Sequence, residues 1–175
     1  MSEVTLTAPL IELNRCAVAD AERELLRCCG STRWAQNVAA QRPFSSLAAL
    51  HEAAQRCWCE ASETDCREAF SHHPQIGANL EELRKKFAPT ASLSAAEQAG
   101  AAHASETTLF ELRELNLRYL ERYGYIFIIC ASGRSAEQML EALRARLDNE
   151  PDRELVLAAA EQGKIMHLRL EKLFG

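Results

Sequence analysis

Two adjacent histidines stand directly before a proline near the middle of the chain, in the sequence FSHHPQIG at residues 70–77. Pro74 disfavours helical backbone at His73, and Gly77 tolerates backbone angles that other residues avoid. A helix should therefore end near Ser71 and leave an imidazole on a rigid corner. Because histidine exchanges protons near neutral pH, this corner could perform acid–base catalysis. The alternative is an ordinary interhelix turn with polar side chains.

A second group of polar residues lies at Ser94-Ala95-Ala96-Glu97-Gln98. Ser-x-x-Glu before a helix is the sequence of a capping box, in which Glu97 would bond only to its own N-cap. Gln98, however, follows Glu97 by about a quarter-turn of helix, so a carboxylate and an amide could lie side by side at the helix start. Both interpretations stay open.

The third group is the apolar run Phe127–Ala131, which Ser132-Gly133-Arg134 follows. Its hydrophobic pattern fits either a short extended segment or a buried helical turn. An extended segment that ends just before a helix can offer backbone N–H groups to an anion. Arg134 and Arg169 are the arginines best placed in the sequence to meet a carboxylate.

Composition narrows the class of protein. The chain has 175 residues, of which 47% are hydrophobic and 26% charged, as expected for one soluble domain spanning 1–175. A net charge of -5 argues against a nucleic-acid partner. No apolar run approaches the length of a membrane span, and the start of the sequence does not resemble a secretory signal, so a cytoplasmic location is expected. The seven cysteines form no Cys-x-x-Cys pair, which favours buried thiols over a metal site.

Nearly every segment has helical periodicity and helix-start or helix-stop residues, which predicts an all-α fold, a single compact multi-helix domain. The predicted helices cover roughly residues 9–14, 19–28, 31–41, 45–58, 64–71, 79–87, 94–123, 136–147 and 151–174. The helix over 94–123 could be broken near 104–105. Gly30 is predicted to stop the second helix, and Thr64 or Asp65 to cap the fifth. The predicted buried face of the last helix consists of Val156, Ala159, Ala160, Gly163, Met166, His167, Leu170 and Leu173, with Arg169 beside it.

Taken together, these features resemble the 2-oxo-4-hydroxy-4-carboxy-5-ureidoimidazoline (OHCU) decarboxylase family. The resemblance extends over essentially the whole chain. It rests on FSHHPQIG (70–77), SAAEQ (94–98), LNLRY (115–119), YGYIFIICASGR (123–134), CCGS (28–31), Trp34, RPFSSL (42–47), KI (164–165) and LRL (168–170). Two positions depart from the family pattern: Cys66 replaces an expected bulky aromatic, and Gln75 stands where arginine is also common.

The resemblance implies decarboxylation of OHCU to (S)-allantoin and carbon dioxide in urate breakdown, after uricase and hydroxyisourate hydrolase. It also implies a homodimer. The carboxylate leaves from a ring carbon beside a C=N bond that can accept the electrons. Neither a metal nor an organic cofactor is therefore expected.

The resemblance also assigns roles to particular residues. His73 is the general acid/base, and Glu97 binds and orients the substrate. Ser94 and Gln98 fix its ring and ureido groups, and Pro74 contributes its carbonyl and its rigidity. Backbone donors and an apolar wall come from Phe127, Ile128, Ile129, Cys130 and Ala131. Arg169 is the candidate for binding the substrate carboxylate. Its role would be to orient the substrate more than to accelerate the reaction, because a firm salt bridge would stabilise the ground state.

Two other functions fit parts of the pattern. One is a non-catalytic all-helical interaction module, in which the His-Pro corner is a turn and Ser94–Glu97 a cap. The other is a metal-dependent cyclic-amide hydrolase that uses His72 and His73. Adjacent histidines rarely converge on one ion, however, and no carboxylate follows at a typical ligand spacing.

Overall fold

The computed structural model describes residues 6–75, 79–86 and 95–175, and it describes only the helical backbone of residues 86 and 95–105. Within these residues the chain forms helices and no strand, which confirms the all-α fold class. The helices are α1 (Ala8–Arg15), α2 (Val18–Leu26), α3 (Thr32–Ala39), α4 (Leu47–Cys59), α5 (Glu63–Ser71), α6 (Leu80–Lys86), α7 (Ala95–Tyr123), α8 (Ala136–Arg146) and α9 (Pro151–Phe174).

The chain divides into two compact units. The first contains Met1–His73 and Ala159–Gly175, and the second contains Pro74–Ala158. A single domain over 1–175 stays a prediction. None of the helices within the described ranges is long and apolar enough to cross a membrane.

In the first unit, α3 packs against α2, α4 and α5. Trp34 on α3 is 1% exposed, and its indole N–H donates to the carbonyl of Ala54 on α4 at 3.0 Å. The Glu68 carboxylate on α5 accepts from the backbone N–H of Thr32 at 3.1 Å and from its hydroxyl at 2.6 Å. The two bonds to Glu68 hold α5, and therefore the residues that follow it, against the start of α3.

Most of the predicted helix starts are confirmed, with one correction. Ser31 caps α3 and Ser46 caps α4, each through a side-chain oxygen that accepts a backbone N–H. The prediction that Thr64 or Asp65 caps α5 is wrong. The cap is Ser62, and Asp65 completes a capping box by accepting from the Ser62 backbone N–H at 2.8 Å.

In the second unit, α7 packs against α6 and α8. The helix runs for 29 residues without the break considered near 104–105. Gly124 follows it with a φ of 73°, a conformation that favours glycine. Asn116, 1% exposed on the buried face, donates to the carbonyl of Leu112 at 2.7 Å, which supplies one of the partners that burial requires.

The buried face of α9 differs from the prediction. One row of buried positions recurs every four residues, and Gly163 is buried beside it; the row is Glu154, Ala158, Gln162, Met166, Leu170 and Phe174. Gly163, Met166 and Leu170 were predicted correctly, but Val156 is 69% exposed, and Ala160 and His167 are also exposed. The prediction followed the small apolar residues and placed the face partly on the wrong side of the helix.

Candidate active site

The corner at His73 is formed as the sequence predicts. Helix α5 ends at Ser71, and the backbone N–H groups of His72 and His73 donate to the carbonyls of Ala69 and Phe70 at 3.3 and 3.2 Å. Phe70 is fully buried and anchors this last turn. Pro74 then prevents the helix from continuing.

The two histidines of the corner have different environments. His72 is exposed, and its ring lies against the backbone of Gly30. A Cβ atom added at Gly30 would be 2.6 Å from the His72 Cγ, so glycine is needed there for close approach. Gly30 does not stop α2 as predicted, because α2 already ends at Leu26 and Gly30 does not have a positive φ.

His73 is partly buried and contacts the end of the chain. Its Nε2 atom lies 2.5 Å from the Oε1 atom of Gln162 on α9. Gln162 is 0% exposed, and its amide nitrogen has no hydrogen-bond partner among the residues that the structure describes. Helix α9 is held in place beside this contact by Trp58 on α4. The indole N–H of Trp58 donates to the carbonyl of Ala159 at 2.8 Å, and its ring lies over Gly163.

Burial lowers the pKa of His73 below its ordinary value of 6.5. The hydrogen bond to the Gln162 amide oxygen opposes this shift, whereas the electrostatic effects of Arg169 and His72 add to it. Since the shift is downward, the neutral imidazole dominates at pH 7. His73 is therefore ready to accept a proton.

Arg169 lies two helical turns after Gln162 on α9, close enough for its charge to act on His73. It is partly buried, and its guanidinium donates to the carbonyl of Arg27 at 3.5 Å. Within the described part of the chain it forms no salt bridge with a carboxylate. The first unit thus brings a neutral base and a cation close together.

The segment Phe127–Ala131 lies in the second unit and is neither helix nor strand. Phe127, Ile128 and Ile129 have buried side chains, and none of their backbone N–H groups donates to a described backbone carbonyl. A ligand could therefore accept hydrogen bonds from these backbone N–H groups rather than contact the three side chains. Cys130 and Ala131 are partly exposed.

The remaining predicted site residues are not tested by these contacts. Pro74 is exposed and belongs to the second unit. Ser94 lies outside the described residues, as do the side chains of Glu97 and Gln98, although their backbone is part of α7. No three histidine, cysteine, aspartate or glutamate side chains form a potential metal site within 6–75, 79–85 and 106–175.

Comparisons with known proteins identify the family of the chain. The sequence model described as OHCU decarboxylase matches residues 14–171. The chain belongs to the OHCU decarboxylase family.

Two relatives and one solved structure show the extent of the similarity. The uric acid degradation bifunctional protein TTL of Arabidopsis thaliana is 42% identical over 161 residues, which are 91% of this chain and 49% of that protein. The 2-oxo-4-hydroxy-4-carboxy-5-ureidoimidazoline decarboxylase of Mus musculus is 31% identical over 136 residues, 77% of this chain and 75% of that one. The chain thus spans about half the length of the Arabidopsis relative. A crystal structure of OHCU decarboxylase in the presence of (S)-allantoin has 39% identity and a TM-score of 0.69, and it covers 86% of this chain and 96% of that one.

The positions at which this member of the OHCU decarboxylase family departs from the expected pattern are near the corner. Cys66 on α5 is 6% exposed, and burial raises the pKa of its thiol to about 11. It therefore fills core space as a protonated thiol. Gln75 is partly buried, and its amide nitrogen has no described hydrogen-bond partner.

Sequence reasoning missed Gln162, the residue that touches the family's predicted acid–base histidine. A signal was present, because Ala158, Met166, Leu170 and Phe174 recur at four-residue spacing and Gln162 falls in the same register. A glutamine on such a face needs a buried partner. The identity of that partner, 89 residues away, cannot be read from the spacing.

Proposed function

We propose that this chain decarboxylates OHCU to (S)-allantoin and carbon dioxide. The observation that carries the proposal is His73, a desolvated imidazole with a lowered pKa whose Nε2 contacts Gln162 and which lies within electrostatic reach of Arg169. A base and a cation are the groups that a hydroxylated carboxylate substrate requires. Family membership and the names of the relatives support the same reaction.

The chemistry follows from the substrate. Its carboxylate and hydroxyl share one ring carbon, and the neighbouring ring carbon carries the ureido group and a C=N bond. When the bond to the carboxylate breaks, carbon dioxide leaves and the electron pair moves through the ring into C=N. The hydroxyl then loses its proton and becomes the carbonyl of allantoin, while the ureido-bearing carbon gains a proton. With a second proton from water on the ring nitrogen, the reaction consumes one proton in all.

In this proposal His73 transfers the proton between the two positions. Its neutral form takes the hydroxyl proton, and the resulting imidazolium delivers it to the ureido-bearing carbon. Delivery to one face would give a single enantiomer. Because the ring C=N bond accepts the electrons, the step requires no metal or organic cofactor.

The remaining residues bind the substrate in this proposal. Arg169 attracts the carboxylate and orients it, and Glu97 hydrogen-bonds to the substrate. Ser94 and Gln98 hold its ring and ureido groups, and Pro74 adds its carbonyl. The segment Phe127–Ala131 offers backbone N–H groups where negative charge develops. The buried side chains of Phe127, Ile128 and Ile129 support this arrangement, because they keep that backbone in an apolar setting.

We further propose a cytoplasmic homodimer that acts after uricase and hydroxyisourate hydrolase. No disulfide links the cysteines in the part of the chain that the structure describes, which is compatible with a reducing compartment. Light scattering coupled to gel filtration tests the dimer, since a monomer would elute with a mass near 19.5 kDa.

The activity is tested by generating the unstable substrate from urate with the two upstream enzymes and following dextrorotatory (S)-allantoin by circular dichroism. We expect the chain to accelerate its appearance, with one enantiomer in excess. A non-catalytic interaction module would leave the uncatalysed rate and a racemic product unchanged. That result would refute the proposal.

A further inference from the structure

The side-chain amide of Gln162 forms a hydrogen bond with the His73 imidazole. Its Oε1 lies 2.5 Å from Nε2 of His73, and the Gln162 side chain is 0% exposed. The amide nitrogen is buried without a partner among the described residues. Burying an unpaired donor costs free energy, and a leucine or methionine would fill the same space without that cost. The feature that distinguishes the amide from an apolar side chain here is therefore its oxygen, which contacts His73.

An amide oxygen can only accept a hydrogen bond, so the imidazole nitrogen that faces it must carry a proton. Neutral histidine has one N–H, and its other nitrogen, here Nδ1, keeps the lone pair. When Nδ1 takes up a second proton, the bond from Nε2–H to Gln162 is unchanged. The reversed amide would set its NH₂ group against an imidazolium N–H, and that contact could not survive protonation.

We propose that Gln162 is a positioning residue that holds His73 as the Nε2–H tautomer, so that Nδ1 is the nitrogen that exchanges the proton with the substrate. The inference rests on the proposed function of His73. In each cycle Nδ1 takes the hydroxyl proton and returns it to carbon, while Nε2–H stays bonded to Gln162. The protein thus keeps the imidazole in one orientation through both proton transfers.

The tautomer can be measured without substrate. Long-range ¹H–¹⁵N NMR spectra distinguish Nε2–H from Nδ1–H in neutral histidine, and His73→Asn identifies the His73 signals. We expect the Nε2–H form in the wild-type protein and a mixture of both forms in Gln162→Leu. Gln162→Glu keeps an acceptor, so the Nε2–H form should persist, and its charge should raise the pKa of His73 against the opposing charges of Arg169 and His72.

Kinetics provide the second readout. For Gln162→Leu we expect kcat to fall about 10- to 100-fold, with KM changed less than about threefold, because general acid–base catalysis depends on a positioned imidazole. Met166→Ala is the control, since Met166 is 0% exposed one turn further along α9. It should lower Tm without changing the tautomer or kcat.

An Nδ1–H tautomer in the wild-type protein would overturn the inference. So would a Gln162→Leu variant that keeps both the tautomer and kcat. The spectra need no substrate, so they test the tautomer independently of the reaction. If the proposed decarboxylation is wrong, only the activity assay will fail. The wild-type spectrum and Gln162→Glu suffice if Gln162→Leu does not fold.

Discussion

The guanidinium of Arg146 and the carboxylate of Glu154 form an ion pair inside the second unit. Glu154 is 0% exposed, and its Oε1 accepts from Arg146 Nε at 2.8 Å and from the hydroxyl of Tyr119. Arg146 also donates to the carbonyl of Ile128 at 2.7 Å, and its guanidinium lies 4.6 Å from the centre of the Phe127 ring. The pair therefore holds the segment that we propose contributes backbone donors to the substrate.

Glu154→Gln should destabilise the protein by about 3–5 kcal/mol, because it leaves the buried Arg146 guanidinium without a counter-charge. The free energy of unfolding in urea measures this loss. The exposed pair of Arg144 on α8 with Glu111 on α7 is the matched control, and Glu111→Gln should cost about 0–1 kcal/mol. Equal losses for the two substitutions would show that burial does not strengthen the inner pair.

His73→Asn should keep the fold and lower the rate about 10²- to 10⁴-fold, because it removes the proton-transferring group. The coupled urate assay measures the rate. His72→Asn is the neighbouring control, and it should cost far less because the exposed His72 ring packs on Gly30. Equal losses at both positions would mean that the wrong imidazole has been assigned.

NMR titration should give His73 a pKa below 6.5. In the pH profile of kcat/KM, the fall on the acid side should occur at the same pKa. Arg169→Gln should raise that pKa, since it removes a nearby positive charge. The sign for stability follows from the same shift: the unfolded chain takes up the proton first as the pH falls. The contribution of His73 to stability is therefore complete above pH 6.5 and is lost as the pH drops through the folded pKa. A measured pKa above 6.5 would contradict this account.

Gly30→Ala should lower the free energy of unfolding by about 1–3 kcal/mol, because its methyl group would meet both Cγ and Cβ of His72 at 2.6–2.7 Å. Adding His72→Gly should recover most of the loss, whereas His72→Ala keeps the offending Cβ. Gly163→Ala is the control in α9, where a new Cβ would stand 3.4 Å from the Trp58 ring, in ordinary contact. Thermal unfolding compares these variants, and an equally mild effect at both glycines would argue against the close approach.

Glu97→Gln separates a helix cap from a substrate contact. If Glu97 is only the third residue of a capping box, the variant should lose at most about 1 kcal/mol of stability and keep its activity. We expect instead a nearly unchanged Tm and a rate about 10²-fold lower, equivalent to about 2.7 kcal/mol of transition-state stabilisation. Ser94→Ala is the control, since it removes the cap and leaves the carboxylate. If both variants are less stable but fully active, the catalytic role of Glu97 is excluded.

The sequence by itself determined the helical class and most helix ends. Ser31 and Ser46 cap helices because a side-chain oxygen bonds to a backbone N–H three residues away, so the signal is local. The corner at His73 was predictable for the same reason, since Pro74 acts on its immediate neighbour. The cap of α5 was predicted at Thr64 or Asp65, but it is Ser62, because serine, threonine and aspartate side chains can all accept a backbone N–H and the local pattern does not choose among them.

Only the tertiary structure decided which polar groups meet. Gln162 reaches His73 across 89 residues, and the fully buried Glu154 binds Arg146 on another helix. From the sequence alone, the buried face of α9 was predicted to follow the small apolar residues and to include Ala160 and His167. Both are exposed in the structure. A buried polar residue is tolerated only where a partner compensates its desolvation. That partner comes from a distant part of the chain, so helical periodicity cannot identify it.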